Sequence, residues 1–214
     1  MDITEPKIND YLLTIISLDA SRGEDSGVVK EMERYARDND FPIIGPLVGR
    51  FLRQLAIVTG AKSIFEMGSG FGYSAYWFAG GLAKGGKIIC TDGSEDNKHR
   101  ALDYLKRAGF ESLVEFHVGD AREIIKRFEG PFDIILNDID KEQYPETLDL
   151  AIPRLRKGGM FITDNVLWSG RILDKDPDES SRGILEFNHK LFASEEVLAS
   201  IIPIRDGLGI AVKL

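Results

Sequence analysis

Ser63-Ile64-Phe65-Glu66-Met67-Gly68-Ser69-Gly70-Phe71-Gly72-Tyr73-Ser74 is the stretch from which the fold can be read. A short apolar run ends in glycines at alternate positions, and residues that can continue as a helix follow. Glycine accepts positive φ and lets backbone approach a ligand, so this reads as a strand turning tightly into a helix. Four more apolar runs follow, at 87–91, 114–118, 132–137 and 159–163. Helical stretches lie between them, at 73–83, 97–108, 121–128 and 144–155. Such alternation predicts βαβ units in a parallel sheet, with right-handed crossovers placing helices on both faces.

Upstream, residues 7–18, 27–39 and 47–59 read as helices. Phe41-Pro42-Ile43-Ile44-Gly45-Pro46 breaks the series, because proline cannot continue a helix interior. Downstream, the apolar runs 197–204 and 208–214 flank Arg205-Asp206-Gly207, and Asp-Gly between such runs signals a hairpin. The expected architecture is α/β and doubly wound: a mostly parallel sheet, a C-terminal antiparallel hairpin and N-terminal helices. The expected organisation is one domain, with a helical part over 1–59 and a core over 60–214.

Composition narrows the function classes. A length of 214 residues, 43% hydrophobic and 29% charged, suits one soluble domain with a sizeable core. The net charge of −8 repels phosphate backbones at long range, which weighs against a nucleic-acid partner unless a basic patch exists locally. Cys90 is the only cysteine, so no disulfide can form within the chain, and a reducing, cytoplasmic compartment is expected. Acids and polar residues come early in 1–10, so no secretory leader is expected. No run approaches the ~20 apolar residues of a membrane span.

Ligands of doubly wound sheets bind beyond the C-terminal strand ends, near the point where strand order reverses. The loop after the first strand has the spacing E-x-G-x-G-x-G. The dinucleotide pattern would need glycine where Tyr73 stands. A ligand-free turn is the plain alternative, but Glu66 at a strand end beside the loop is unusual for packing alone. Asp92 ends the second strand, at an offset from Gly68 close to the roughly 20 residues of ribose-binding carboxylates. It can accept from ribose hydroxyls or cap the next helix. Asp120, before Ala121, can meet an adenine amine, N-cap a helix, or do both.

Strand four ends in Asn137-Asp138-Ile139-Asp140-Lys141 and strand five in Asp164-Asn165. Asp138, Asp164 and the Asn165 amide are three hard oxygen donors that suit Mg²⁺ or Ca²⁺. No His or Cys lies nearby in sequence, which argues against zinc. Turn and capping chemistry explains each pair alone, while two pairs at neighbouring strand ends speak for a site. Lys141 is either an ordinary exposed lysine or a general base beside a bound cation.

With these residues in view, the chain resembles the metal-dependent class I O-methyltransferases of the caffeoyl-CoA and catechol type. The resemblance rests on E-x-G-x-x-x-G-Y-S (Glu66 to Ser74), D-x-x-K (Asp138 to Lys141), D-N-x-L-W (Asp164 to Trp168) and P-I-x-D-G-L (Pro203 to Leu208). It runs from about Val28 to the C-terminus. It implies a Rossmann-like methyltransferase fold and S-adenosylmethionine as cofactor. By resemblance, Glu66, Gly68, Ser69, Gly70, Gly72, Tyr73 and Ser74 line the cofactor's methionine end. Asp92 holds the ribose, Asp120 and Ala121 sit near the adenine, and Ile44 belongs to a covering segment. Asp138 borders the cofactor and, with Asp164 and Asn165, ligates Mg²⁺ (or Ca²⁺ or Mn²⁺), and Lys141 is the catalytic lysine. A homodimer is implied too. Asn137 and Ile139 depart from the family pattern, which has an apolar and a small residue there.

The expected reaction is methyl transfer to a hydroxyl of a small catechol-like aromatic, with Trp168 and Tyr144 as candidate walls or, equally, core or rim residues. The alternative is a wobble 5-hydroxyuridine of tRNA, since Ile8-Asn9-Asp10-Tyr11 and Phe41-Pro42-Ile43 look closer to short bacterial members that act there. The acidic stretch 173–180 argues against RNA, although Arg171 and Arg182 flank it. A nicotinamide dehydrogenase would need the other glycine spacing, and a non-catalytic binding module would not need the ligand set and lysine together.

Overall fold

The computed structural model describes residues 5–17 and 27–214. Three helices come first: α1 (Pro6–Ser17), α2 (Gly27–Asp38) and α3 (Gly45–Thr59). The alternating core follows as β1 (Ser63–Met67), α4 (Tyr73–Ala79), β2 (Lys87–Asp92), α5 (Glu95–Arg107), β3 (Val114–Val118), α6 (Ala121–Ile125) and β4 (Phe132–Asn137). It continues through α7 (Tyr144–Ala151), β5 (Leu155–Thr163), α8 (Glu179–Ala193), β6 (Val197–Ile202) and β7 (Leu208–Lys213).

The seven strands form one sheet in the order β3-β2-β1-β4-β5-β7-β6. The first five pair in parallel, and β7 pairs antiparallel with both β5 and β6. The expected antiparallel ending is present, with one refinement. β7 inserts beside β5 and leaves β6 at the edge. Strand order reverses between β1 and β4, so the C-terminal ends of those two strands open a crevice.

Side chains alternate across the sheet and build two cores. On one face Ile64, Ile88, Leu136 and Ile162 pack under α3, α4 and α5 with Leu52, Phe78 and Leu105. On the other, Phe65, Ile135 and Phe161 meet Tyr144, Leu148, Ile184 and Phe187 of α7 and α8.

Several expected boundaries move. Helix α4 stops at Ala79, short of residue 83, at the weak helix formers Gly80 and Gly81, and a Cβ on Gly81 would lie 2.5 Å from the Arg53 carbonyl of α3. α6 ends at Ile125 and α7 at Ala151, and β5 begins at Leu155 where a helix end was expected. Pro153 follows two residues after Ala151 and cannot continue α7, and Leu155 pairs with Phe132 of β4. The 15-residue helix α8 was not anticipated. Its N-cap, Asp178, accepts a hydrogen bond from Ser181 N at 2.8 Å inside the stretch that reads as an acidic loop. The expected helix end at Leu18 lies outside the described residues.

Candidate active site

One cleft of about 660 Å³ opens beyond the ends of β1, β2, β4 and β5, a size that suits a small-molecule ligand. It gathers Ile44, Gly68, Ser69, Gly70, Tyr73, Ser74, Asp92, Asp120, Ala121, Asp138, Lys141, Asp164, Asn165 and Trp168. Most of the candidates read from sequence therefore share one concavity. Glu66 and Gly72 do not line it, and both support the loop from behind.

The loop's shape follows from its glycines. Gly68 has φ +85, and a Cβ there would lie 2.3 Å from the backbone oxygen of Asp138, so only glycine lets the loop cross the end of β4. Gly72 has φ +86 and abuts Ala101 of α5, where a Cβ would come within 2.9 Å. Glu66 is fully buried beneath this turn. Its Oε2 accepts from Ser69 Oγ at 2.8 Å and from Cys90 Sγ at 3.5 Å, and Thr91 Oγ1 donates to its carbonyl at 2.7 Å. Burial pushes its carboxyl up to about 7, against the downward pull of the Ser69, Ser74 and Cys90 hydrogen bonds. Oε1 is buried without a partner.

At the ends of β2 and β3 the two aspartates differ, because α5 is N-capped by Ser94 whereas α6 is N-capped by Asp120 itself. Asp92 Oδ1 accepts from Ser94 N and Asn97 Nδ2, both at 2.9 Å. Asp120 N-caps α6 through Arg122 N at 2.8 Å and is forked by the Arg122 guanidinium at 3.1 and 2.8 Å. That contact holds its carboxyl below the ordinary range. Both side chains still border the cleft.

The ends of β4 and β5 bring two carboxylates together. Asp138 N donates to Met67 O at 2.9 Å and Asp164 N to Asn137 O at 3.1 Å, so strand pairing sets their relative position. Asp164 is buried, and its Oδ1 has no hydrogen-bond partner. Burial, reinforced by the charge of Asp138, raises its pKa, while Arg205 and Lys141 oppose the shift. Lys141 Nζ lies 2.9 Å from Asp138 Oδ1 and 3.0 Å from the Ile139 carbonyl, with its side chain only 13% exposed. It is thus not a solvated surface lysine. Its nitrogen also faces the Trp168 ring, 5.8 Å from the centroid.

Asn165 adopts φ +60 and donates from Nδ2 to Asp206 Oδ2 at 3.1 Å, which leaves Oδ1 for a ligand. Trp168 and Ser169 also have positive φ. Three left-handed non-glycine residues in one loop is a concentration of backbone strain of the kind found at functional sites. Of the two readings open for Tyr144 the structure shows the core one: it is fully buried, donates to Asp164 O at 3.0 Å and backs the site from below.

The donor set fits a hard cation. A buried, unpartnered Asp164 oxygen, a second carboxylate and an amide oxygen are all hard ligands, and two cationic side chains already lean on the acidic pair. Among the described residues no cluster of three or more His, Cys, Asp or Glu side chains is arranged for a metal. Any ion here would therefore rest on two carboxylates and the amide.

Sequence reading missed Phe41, Gln143, Arg205 and Asp206, which also line the cleft. Phe41 follows the helix break and packs edge-on against Phe71, with ring centroids 5.0 Å apart. Arg205 and Asp206 lay in plain view as turn residues; nothing in the Asp-Gly signal says that the turn folds back over β5.

This crevice at the strand-order reversal, glycine-bordered and acid-tipped, places the chain among nucleoside-cofactor-binding α/β enzymes. Comparison with known proteins narrows the class. The chain belongs to the O-methyltransferase family, whose family model matches residues 19–214. A catechol O-methyltransferase of Niastella koreensis is 35% identical over 181 residues, covering 79% of this chain and 81% of that protein. A probable caffeoyl-CoA O-methyltransferase of Arabidopsis thaliana is 29% identical, covering 79% and 78%. An O-methyltransferase of Bacillus cereus, solved with S-adenosylhomocysteine, superposes with a TM-score of 0.82 at 29% identity, covering 89% and 92%. TomG of Streptomyces achromogenes, an O-methyltransferase solved with S-adenosylmethionine, superposes equally well at 28% identity, covering 89% and 91%. The protein is an S-adenosylmethionine-dependent O-methyltransferase.

Proposed function

We propose that the protein methylates one hydroxyl of a small catechol-like aromatic, with a divalent cation, Mg²⁺ foremost, held by Asp138, Asp164 and Asn165. The observation that carries this reading is the convergence of those three side chains with Lys141 in the cleft of the glycine loop. The names of the catechol and caffeoyl-CoA relatives support it.

When bound, such a cation supplies a Lewis acid that acidifies and positions a hydroxyl, and the cofactor supplies a methyl on an already activated sulfonium. What remains for this chain is orientation, exclusion of water and one proton transfer. The loop from Gly68 to Ser74 and Ile44 hold the methionine end, with Glu66 bracing the loop through Ser69. The second oxygen of Asp92 meets the ribose, and Ala121 with Asp120 borders the adenine. In its neutral form Lys141 Nζ takes the acceptor hydroxyl's proton, kept in place by Asp138 and the Ile139 carbonyl. Trp168 offers the flat wall for the ring.

The tRNA alternative draws no support from these relatives. We also retain a single domain, a homodimer and a cytoplasmic location as part of this reading. Its support there is the family resemblance, one buried cysteine and the lack, among the described residues, of a helix long and apolar enough to cross a membrane.

The test is methyl transfer from labelled S-adenosylmethionine to caffeate, with and without chelator, beside hydroxyuridine-containing tRNA. Chelator-sensitive transfer to caffeate is expected. Asp164→Ala should lower that transfer by at least about a hundredfold while S-adenosylhomocysteine affinity measured by calorimetry stays within about threefold. Transfer to tRNA alone, or parallel loss of cofactor affinity, would refute the assignment.

A further inference from the structure

We infer that Arg205 is a specificity-determining residue, whose guanidinium receives a carboxylate carried by the aromatic acceptor. This rests on the proposed function and goes beyond it, naming the acceptor as an anionic hydroxylated aromatic acid.

The backbone supplies the first argument. Arg205 sits at φ +50, a left-handed conformation that favours glycine and costs an arginine stability. The turn does not need an arginine: Gly207 (φ +84) already supplies the tight bend, packed so closely on Leu167 that a Cβ would lie 2.4 Å from its Cγ. A strained arginine in a hairpin calls for a reason outside the hairpin.

The clamp around it supplies the second. Asp206 Oδ2 accepts from Asn165 Nδ2, and Oδ1 accepts from Ser169 Oγ at 3.1 Å and from Ser169 N. Val166 N and Leu167 N donate to the carbonyls of Gly207 and Asp206, both at 3.0 Å. The hairpin tip is thereby tied to the loop that carries Asn165 and Trp168, so Arg205 is held at a fixed place in the cleft wall.

Charge supplies the third. Asp92, Asp120, Asp138, Asp140, Asp164 and Asp206 all line the cleft of a chain with net charge −8. A substrate carboxylate entering there is repelled unless a cation meets it. Among the lining residues the cations are Lys141 and Arg205. Lys141 is 13% exposed and held on Asp138. Arg205 is 39% exposed, and its hydrogen bond to Asp164 Oδ2 spans 3.3 Å. That is long for a charge-assisted bond, and it occupies one of five donors. A guanidinium so loosely engaged, with its fork open to the cleft, is built for bidentate recognition of a carboxylate.

The probes are 3,4-dihydroxybenzoate and its neutral counterpart 3,4-dihydroxybenzyl alcohol. The wild-type enzyme should prefer the acid, in kcat/KM and in calorimetric affinity for protein loaded with S-adenosylhomocysteine. Arg205→Gly should lower the acid-to-alcohol ratio on the order of tenfold to a hundredfold, the value of a hydrogen bond between charged groups. Its melting temperature reflects two opposed effects, relief of the strained φ and loss of the hydrogen bond to buried Asp164, so the acid-to-alcohol ratio carries the test. Arg205→Asn, which also tolerates the left-handed region, repeats the measurement should glycine loosen the hairpin. Arg205→Lys should restore part of the preference.

A wild-type ratio near one, or a ratio unchanged in the variants, overturns the inference. So does a fall in S-adenosylhomocysteine affinity without a change in ratio, because the guanidinium would then serve the cofactor's carboxylate. Preferential binding of the acid without methyl transfer would support Arg205's role and count against the proposed function instead.

Discussion

At the scale of the residue, the telling feature is how far environment changes what a carboxylate does. Glu66, Asp120 and Asp164 are all acids at strand ends, yet only Asp120 is held below the ordinary range, by Arg122. Glu66 is raised to about 7 by burial. The folded protein therefore binds that proton more tightly than the unfolded chain, whose carboxyl titrates near the ordinary 4.5. The stability so gained is fully present below about 4.5 and is lost as pH rises through about 7. Glu66→Gln should flatten this slope. Cofactor-free variant and wild type should unfold alike in denaturant near pH 4.5, and the variant should gain about 2–3 kcal/mol by pH 8. An equal difference at both pH values would show that burial does not raise the Glu66 carboxyl. The placing of Glu66 and Asp164 at strand ends was legible because an acid after an apolar run is conspicuous. Their protonation was not, since desolvation depends on what packs above them.

At the scale of the element, turns decide the site more than helices or strands do. The short 3₁₀ turn Lys141–Gln143 carries the proposed base, and α8 presses on it. Gly183 of α8 comes so close that a Cβ would lie 2.4 Å from the Lys141 carbonyl and 2.7 Å from Glu142 Cα. Both are backbone atoms and cannot swing aside. Gly183→Ala should cost about 1–3 kcal/mol and also lower kcat, because the turn must shift to admit the methyl. Thermal melts and steady-state kinetics check the pair of effects, and a loss of stability with kcat unchanged would detach α8 from the site. Nothing in the sequence around Gly183 announced this. One glycine in an amphipathic helix looks like a weak helix position until the neighbouring turn is seen against it.

At the scale of the whole molecule, α7 and α8 hold β4 and β5 in place from below. Phe187 is fully buried, 5.5 Å from the Tyr144 ring and 6.1 Å from that of Phe161. Tyr144 in turn donates to the Asp164 carbonyl, so the core reaches the site through one phenol. Phe187→Ala should destabilise the protein by about 3–5 kcal/mol, read from denaturant midpoints at constant m. A loss near 1 kcal/mol would mean that this core collapses around the gap.

The sequence by itself determined the parallel core, because periodic burial writes strands and crossover helices as alternating patterns. It also marked the acids and glycines at the strand ends, which interrupt the apolar runs. Only the tertiary structure decided that β7 lies between β5 and β6, that α8 buttresses Lys141, and that Arg205 and Asp206 reach the cleft. Each of those depends on contacts between segments far apart in the chain, and a pattern within one segment carries no record of which distant backbone it will meet.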